Sequence, residues 1–282
     1  MILSDRRGYT VLKRVLLHLS GSFGADQVIE LGARISHRTS ARLRGLSTLD
    51  TSGLQNAGHL DSAAYAVSES HRIAHAERRQ RISHQQMEQV GQRYQIDFDT
   101  LGIEGNPIQS LVREAQYHDL LITRSADHAR QLPGELNAPE LIELVVQSRQ
   151  PVYISRGSNT NPNRFLLVYD GSESSARVIR TFLTQKPVRS AHCRLLGVGA
   201  AADPSSKLLN SMRDYCEARH ADLEVGRLAG SPRKVLIPYA RKWAPDVVVM
   251  GVPRVTGLWR RIRGHVALDF LHHTQFDLYL MG

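Results

Sequence analysis

Residues 164–179 read RFLLVYDGSESSARVI, and residues 14–29 read RVLLHLSGSFGADQVI. Set side by side, they pair Arg14 with Arg164, Leu16 with Leu166, Leu17 with Leu167, Gly21 with Gly171, Ser22 with Ser172, Val28 with Val178 and Ile29 with Ile179. The echo continues downstream. EGNPIQSLVREAQ (104–116) aligns with AGSPRKVLIPYAR (229–241), DLLIT (119–123) with DVVVM (246–250), and PVYIS (151–155) with DLYLM (277–281). Four landmarks recur in the same order, so the chain is an internal duplication.

Each copy alternates short apolar runs with helical patterns. In the second, FLLVY (165–169) predicts a strand and ESSARVIRTFLTQ (173–185) a helix. CRLLGVG then predicts a strand, residues near 204–219 a helix, and ADLEVGRL a strand. SPRKVLIPYARKW predicts a helix with Ser231 as N-cap and Pro232 at the first helical position, where proline is tolerated. DVVVMG, a helix near 265–274 and DLYLM complete the copy. Runs such as LLVY and VVVM are apolar on both faces, as parallel strands covered by helices on each side require. The fold class is therefore α/β, with two repeated doubly wound domains. RGSNTNPN (156–163) has linker composition and divides the chain into domains at 1–157 and 158–282. The first copy also carries an unusually long helical segment at about 63–94.

Composition bounds the function. The chain has 282 residues, 41% of them hydrophobic and 22% charged, which is ordinary for a globular protein. No apolar stretch approaches the ~20 residues of a membrane span, and the first residues read as a strand and not a signal peptide, so a cytoplasmic location is expected. Cys193 and Cys216 are too few for a disulfide framework and are expected to be structural thiols. The net charge of +9 is uneven: the first 157 residues are nearly balanced, and the excess falls in the second half. Half of that excess is Arg254, Arg260, Arg261 and Arg263, in the stretch MGVPRVTGLWRRIRGHV (250–266). Such a patch attracts phosphate, nucleic acid or an acidic partner, or serves only as a solvated face.

The strand-DGS-helix of YDGSESSA (169–176), the G-S-P opening the third helix and the closing run from DVVVMG to DLYLMG together resemble the universal stress protein family in its tandem, two-domain form. The resemblance covers nearly the whole chain. It implies a five-stranded parallel sheet of order 3-2-1-4-5 in each domain, with helices on both faces. It also implies pairing of domains through their last strands, here within one molecule, with a further homodimer left open. Many members bind ATP through G-x-x-G-x9-G-[S/T] after the fourth strand, where glycines admit backbone amides to phosphate and a helix N-terminus favours anions.

The second half keeps part of that pattern. Asp170 stands at the family aspartate, the backbone of Val198 is expected at the nucleoside, and Gly251 and Gly264 fit the first and third glycines. Arg254 replaces the second glycine and His265 the Ser/Thr; an arginine here either blocks the close approach or grips phosphate with its fork. In the first half Ser20 replaces the aspartate and Arg124 the first glycine, and the loop has lost its motif.

Other signals are weak. Arg78, Arg79 and Arg81 form a cationic run expected on a solvated helix face, and His71 and His75 have metal-ligand spacing without a third ligand. Neither a Walker A, a G-x-S-x-G nor an HExxH motif is present, so no catalytic residue and no metal site is assigned. Three functions are carried forward. The first is a non-enzymatic stress-response protein acting through a protein partner, with no resident cofactor and an eroded nucleotide pocket in domain 2. The second is an ATP-binding switch, with or without slow hydrolysis, using domain 2 only. The third, ranked last, is a basic nucleic-acid-binding module.

Overall fold

The computed structural model describes residues 12–21, 25–49, 63–125, 134–157, 159–185, 187, 191–219, 222–253 and 266–282. In the first half, β1 (Arg14–His18), β2 (Arg42–Leu49), β3 (Phe98–Glu104), β4 (Leu120–Arg124) and β5 (Val152–Ser155) alternate with α1 (Ala25–Thr39), α2 (Ala63–Tyr94), α3 (Pro107–Ala115) and α4 (Ala138–Gln147). The second half repeats the order. It has β6 (Arg164–Tyr169), α5 (Glu173–Gln185), β7 (His192–Val198), α6 (Leu208–Glu217), β8 (Leu223–Leu228), α7 (Pro232–Trp243), β9 (Val247–Gly251), α8 (Val266–His273) and β10 (Asp277–Met281). A short 3-10 turn, Gly199–Ala202, follows β7.

All ten strands form one sheet in the order β3-β2-β1-β4-β5-β10-β9-β6-β7-β8. Each half therefore has the expected 3-2-1-4-5 order, parallel throughout. The halves join through their last strands, antiparallel, with Ile154 opposite Leu278, Tyr153 opposite Tyr279 and Val152 opposite Leu280.

Strand side chains alternate between two helical layers. Along β6, Phe165, Leu167 and Tyr169 pack with α1, α2, α5 and α6, through residues such as Ile29, Met87, Phe182 and Cys216. Leu166 and Val168 point the other way, into a layer with α3, α4, α7 and α8 through Leu111, Leu141, Leu236 and Phe270. Both layers cross the junction between the halves, so β5 and β10 are buried on both faces and read as continuous apolar runs.

Helix starts follow their sequences. The Asn106 side chain accepts from the Gln109 N–H at 3.0 Å, and Asn137 and Glu140 form a reciprocal capping box. Ser172 accepts from the Ser175 N–H at 3.2 Å, capping α5. Ser231 holds the N-cap position of α7 with Pro232 behind it, but its side chain makes no capping bond. The link between the halves is tied to both: the Arg38 guanidinium donates to Asn161 Oδ1 at 2.5 Å, and Asn159 Nδ2 donates to Asp246 Oδ1 at 2.9 Å.

Beneath that link lies a buried carboxyl. Asp277 accepts from the Tyr153 hydroxyl at 2.9 Å and from the Arg156 N–H at 2.7 Å, both from the other half. Burial pushes its pKa up from 3.8 to about 7 against the pull of these donors, and the neighbouring Asp246 adds to the rise. Cys193 and Cys216 are free, buried in one core layer, and pushed up to about 12 by burial, which leaves them as unreactive apolar side chains.

Candidate functional site at the carboxyl edge of the second half

An open α/β sheet receives ligands beyond the carboxyl ends of its strands, where the strand order reverses. In the second half that point lies between β6 and β9, which are neighbours in the sheet although far apart in the chain. Tyr169 at the end of β6 pairs in register with Gly197, so Asp170 and Val198 leave the sheet side by side. Gly251 ends β9 on the same edge, next to Met281 of β10. Parallel register alone thus brings Asp170, Val198 and Gly251 together.

Asp170 is exposed and already engaged. Its Oδ1 accepts from the Ser172 N–H at 2.9 Å and from the Ser175 hydroxyl at 2.6 Å, closing the turn into α5. Burial raises its pKa, but the bonds from Ser172 and Ser175 outweigh that and hold it below the usual carboxylate value. No described residue gives its Oδ2 a hydrogen bond, so that oxygen is available at the edge. Gly171 follows with φ of +88°, a left-handed turn that a glycine takes without strain. Val198 is buried and extended, at φ −131° and ψ 161°, and its backbone leads into the 3-10 turn.

Gly251 has a reason within the protein to be glycine. A Cβ there would lie 2.5–2.7 Å from the backbone of Ser174 and Ser175 in the first turn of α5. The chain then passes through buried Val252, whose N–H donates to the Met281 carbonyl at 2.8 Å, to exposed Pro253. Arg254, Gly264 and His265, with the other loop arginines, lie outside the described residues. Beyond the loop, α8 is fixed by a bidentate pair between Arg233 and Asp269 at 2.7 and 2.9 Å.

The corresponding edge of the first half is built differently. Arg124, in the first glycine's place, reaches Glu135 at 3.4 Å across its own loop, and Ser125 bridges to Leu136. The middle of α2 comes down over the end of β1: a Cβ on Gly21, at φ +69°, would lie 2.6 Å from the Arg79 Cβ. Gln80 Nε2 donates to the Ser47 hydroxyl at 2.7 Å, and His84 Nε2 meets the same oxygen at 2.9 Å. Arg78 and Arg81 are exposed as a solvated face predicts, but Arg79 is turned inward and half-buried. A helical wheel over α2 could have separated Arg79 from its neighbours; the density of arginine in RRQR concealed it.

The universal stress protein family model matches residues 196–281. That match spans the larger part of the second half and marks its likeness to universal stress protein domains. A solved universal stress protein from Archaeoglobus fulgidus superposes on the whole molecule with a TM-score of 0.71 and 15% identity, over 95% of this chain and 95% of that one. A protein of unknown function from Pseudomonas aeruginosa PAO1 aligns with a TM-score of 0.60 and 14% identity, over 96% of this chain and 92% of that one. No curated protein matches the chain. At these identities the likeness to solved structures is one of fold, and it extends the universal stress protein architecture over both halves. Among the described residues, no helix is long and apolar enough to cross a membrane, and no three His, Cys, Asp or Glu side chains converge as metal ligands.

Proposed function

We propose that this chain is a non-enzymatic, cytoplasmic stress-response protein of the tandem universal stress type. It acts through a protein partner, and its second domain (158–282) keeps an eroded nucleotide pocket. Asp170 and the Val198 backbone would face the nucleoside; Gly251, Arg254, Gly264 and His265 would face the phosphates. The observation that carries this reading is the meeting of Asp170, Val198 and Gly251 at one switch point, with the Asp170 carboxyl held below the usual value and its Oδ2 bonded by no described residue. The first domain (1–157) supplies the paired half-sheet, and its own loop is ion-paired through Arg124 and Glu135.

The ATP-switch reading uses the same residues. Against it stands the contact between Gly251 and α5, which requires a glycine whether or not phosphate ever approaches. The experiment that separates them starts from purified protein: denature it, identify any released nucleotide by mass spectrometry, and titrate the stripped protein with ATP and Mg²⁺ by calorimetry. One nucleotide per chain, lost in Asp170→Ala, establishes the switch. No nucleotide and no heat at millimolar ATP leaves the partner-binding reading.

A further inference from the structure

We propose that the first half holds an anion site of its own, in which Arg79 of α2 closes a small polar cavity at the carboxyl edge of β1 and β2 and binds a phosphate-sized tetrahedral oxyanion. The cavity measures about 90 Å³ and is lined by Ser20, Ser47, Thr48, Arg72, Arg79 and Gly134, among others. It uses none of the loop residues considered for the second half.

Three observations support an anion. First, two arginines one heptad apart on α2 line the same small space, and no carboxylate among the described residues lines it with them. Second, among the described residues the Arg79 side chain has no hydrogen-bond or ion-pair partner. Burial, and then the charge of Arg72, weaken its hold on its proton, so the guanidinium stands partly desolvated with no counter-charge from the described residues. A group in that condition gains most from an incoming oxyanion, whose charge it meets with a planar fork of donors. Third, the wall is hydroxyl-bearing: Ser47 is already oriented by Gln80 and His84, and Thr48 adds a hydroxyl that no described residue bonds.

Size fixes the class of ligand. The cavity is several waters in volume, yet well below the roughly 300–1,000 Å³ of pockets that enclose drug-sized molecules. It admits a phosphate or sulfate group and excludes a nucleoside. The site is also rigid at its base. The α2 backbone rests directly on the Gly21 turn, so the Arg79 stem is placed before any ligand arrives. The long α2 helix has thus filled the crevice of the first half, and its own cation replaces the amides of a glycine loop.

The test is calorimetry on the full-length protein with sodium phosphate, against sodium chloride at equal ionic strength. One phosphate per chain is expected. Arg79→Met keeps the stem and removes the charge, and should weaken binding by about tenfold or more. Arg79→Lys keeps the charge without the fork and should fall between the two; it carries the test if the methionine variant does not fold by circular dichroism. Arg78→Ala, at an exposed neighbour on α2 outside the cavity, should leave phosphate binding unchanged, which separates a site at Arg79 from general attraction to the arginine run. Absence of saturable heat at millimolar phosphate, equal binding in the Arg79 variants, or an equal loss in Arg78→Ala would overturn the proposal.

Discussion

Replacing Asp277 with asparagine is expected to make the protein more resistant to unfolding at alkaline pH, with an advantage that grows steadily from pH 5 to pH 8. Asp277 is buried at the junction of the halves, with Tyr153, Arg156 and Asp246 as its titratable and charged neighbours, and burial lifts its pKa from 3.8 to about 7. The native state therefore keeps a proton that the unfolded chain has lost. The stability tied to that proton is fully present below the unfolded value and is lost as pH rises through the folded one. With those two values the whole loss is about 4 kcal/mol, of which roughly 2.6 kcal/mol falls between pH 5 and pH 8. An amide at 277 has no proton to lose, so its stability lacks this slope. Urea unfolding of both proteins at pH 5, 6, 7 and 8 measures the difference directly. A gap between them that stays constant over this range would refute the reasoning, because it would mean that the Tyr153 and Arg156 donors hold Asp277 ionised throughout.

Three further outcomes are expected. Gly251→Ala places a methyl against the backbone of Ser174 and Ser175; such overpacking costs about 1–3 kcal/mol, read as a lower urea midpoint with no ligand present. Asp170→Ala removes the acceptor that closes the turn into α5, and a loss of about 0.5–2 kcal/mol should appear as a lower Tm, whether or not nucleotide binds. Cys193 and Cys216, both buried with pKa near 12, should resist a thiol-specific chromogenic reagent at pH 8 in the native protein and both react in urea; fast labelling of the folded chain would contradict the packing.

Much of this architecture is written in local sequence. The duplicated RxLL and GS positions, the doubly apolar strands and the single long helix at 63–94 each depend on periodicity or turn chemistry, which a sequence displays directly. The site is less legible because its determinants are non-local. Gly251 reads as a phosphate-loop glycine, whereas its contact is with the first turn of α5, some 75 residues earlier in the chain. Arg79 reads as one of several solvated arginines until the Gly21 turn shows which side of α2 faces the sheet. Asp277 reads as the polar start of a strand, and only the antiparallel partner supplied by the other half encloses it. Asp170 reads in the sequence as a nucleoside-facing aspartate, whereas the bonds it makes in the structure, which close the turn into α5, lie within five residues of itself.

The β5–β10 pairing has a combinatorial consequence. Two separate subunits that meet through their last strands can re-sort, so a population of diverged copies yields like and unlike pairs together. Here the partner of β5 is always the β10 available on the same polypeptide, at a fixed one-to-one ratio and independent of concentration. Each half is thereby released from having to recognise a copy of itself. Its carboxyl edge can drift toward a different ligand, as the arginine-bearing α2 of the first half and the arginine-rich loop of the second already differ, without producing pairs in which both edges are alike.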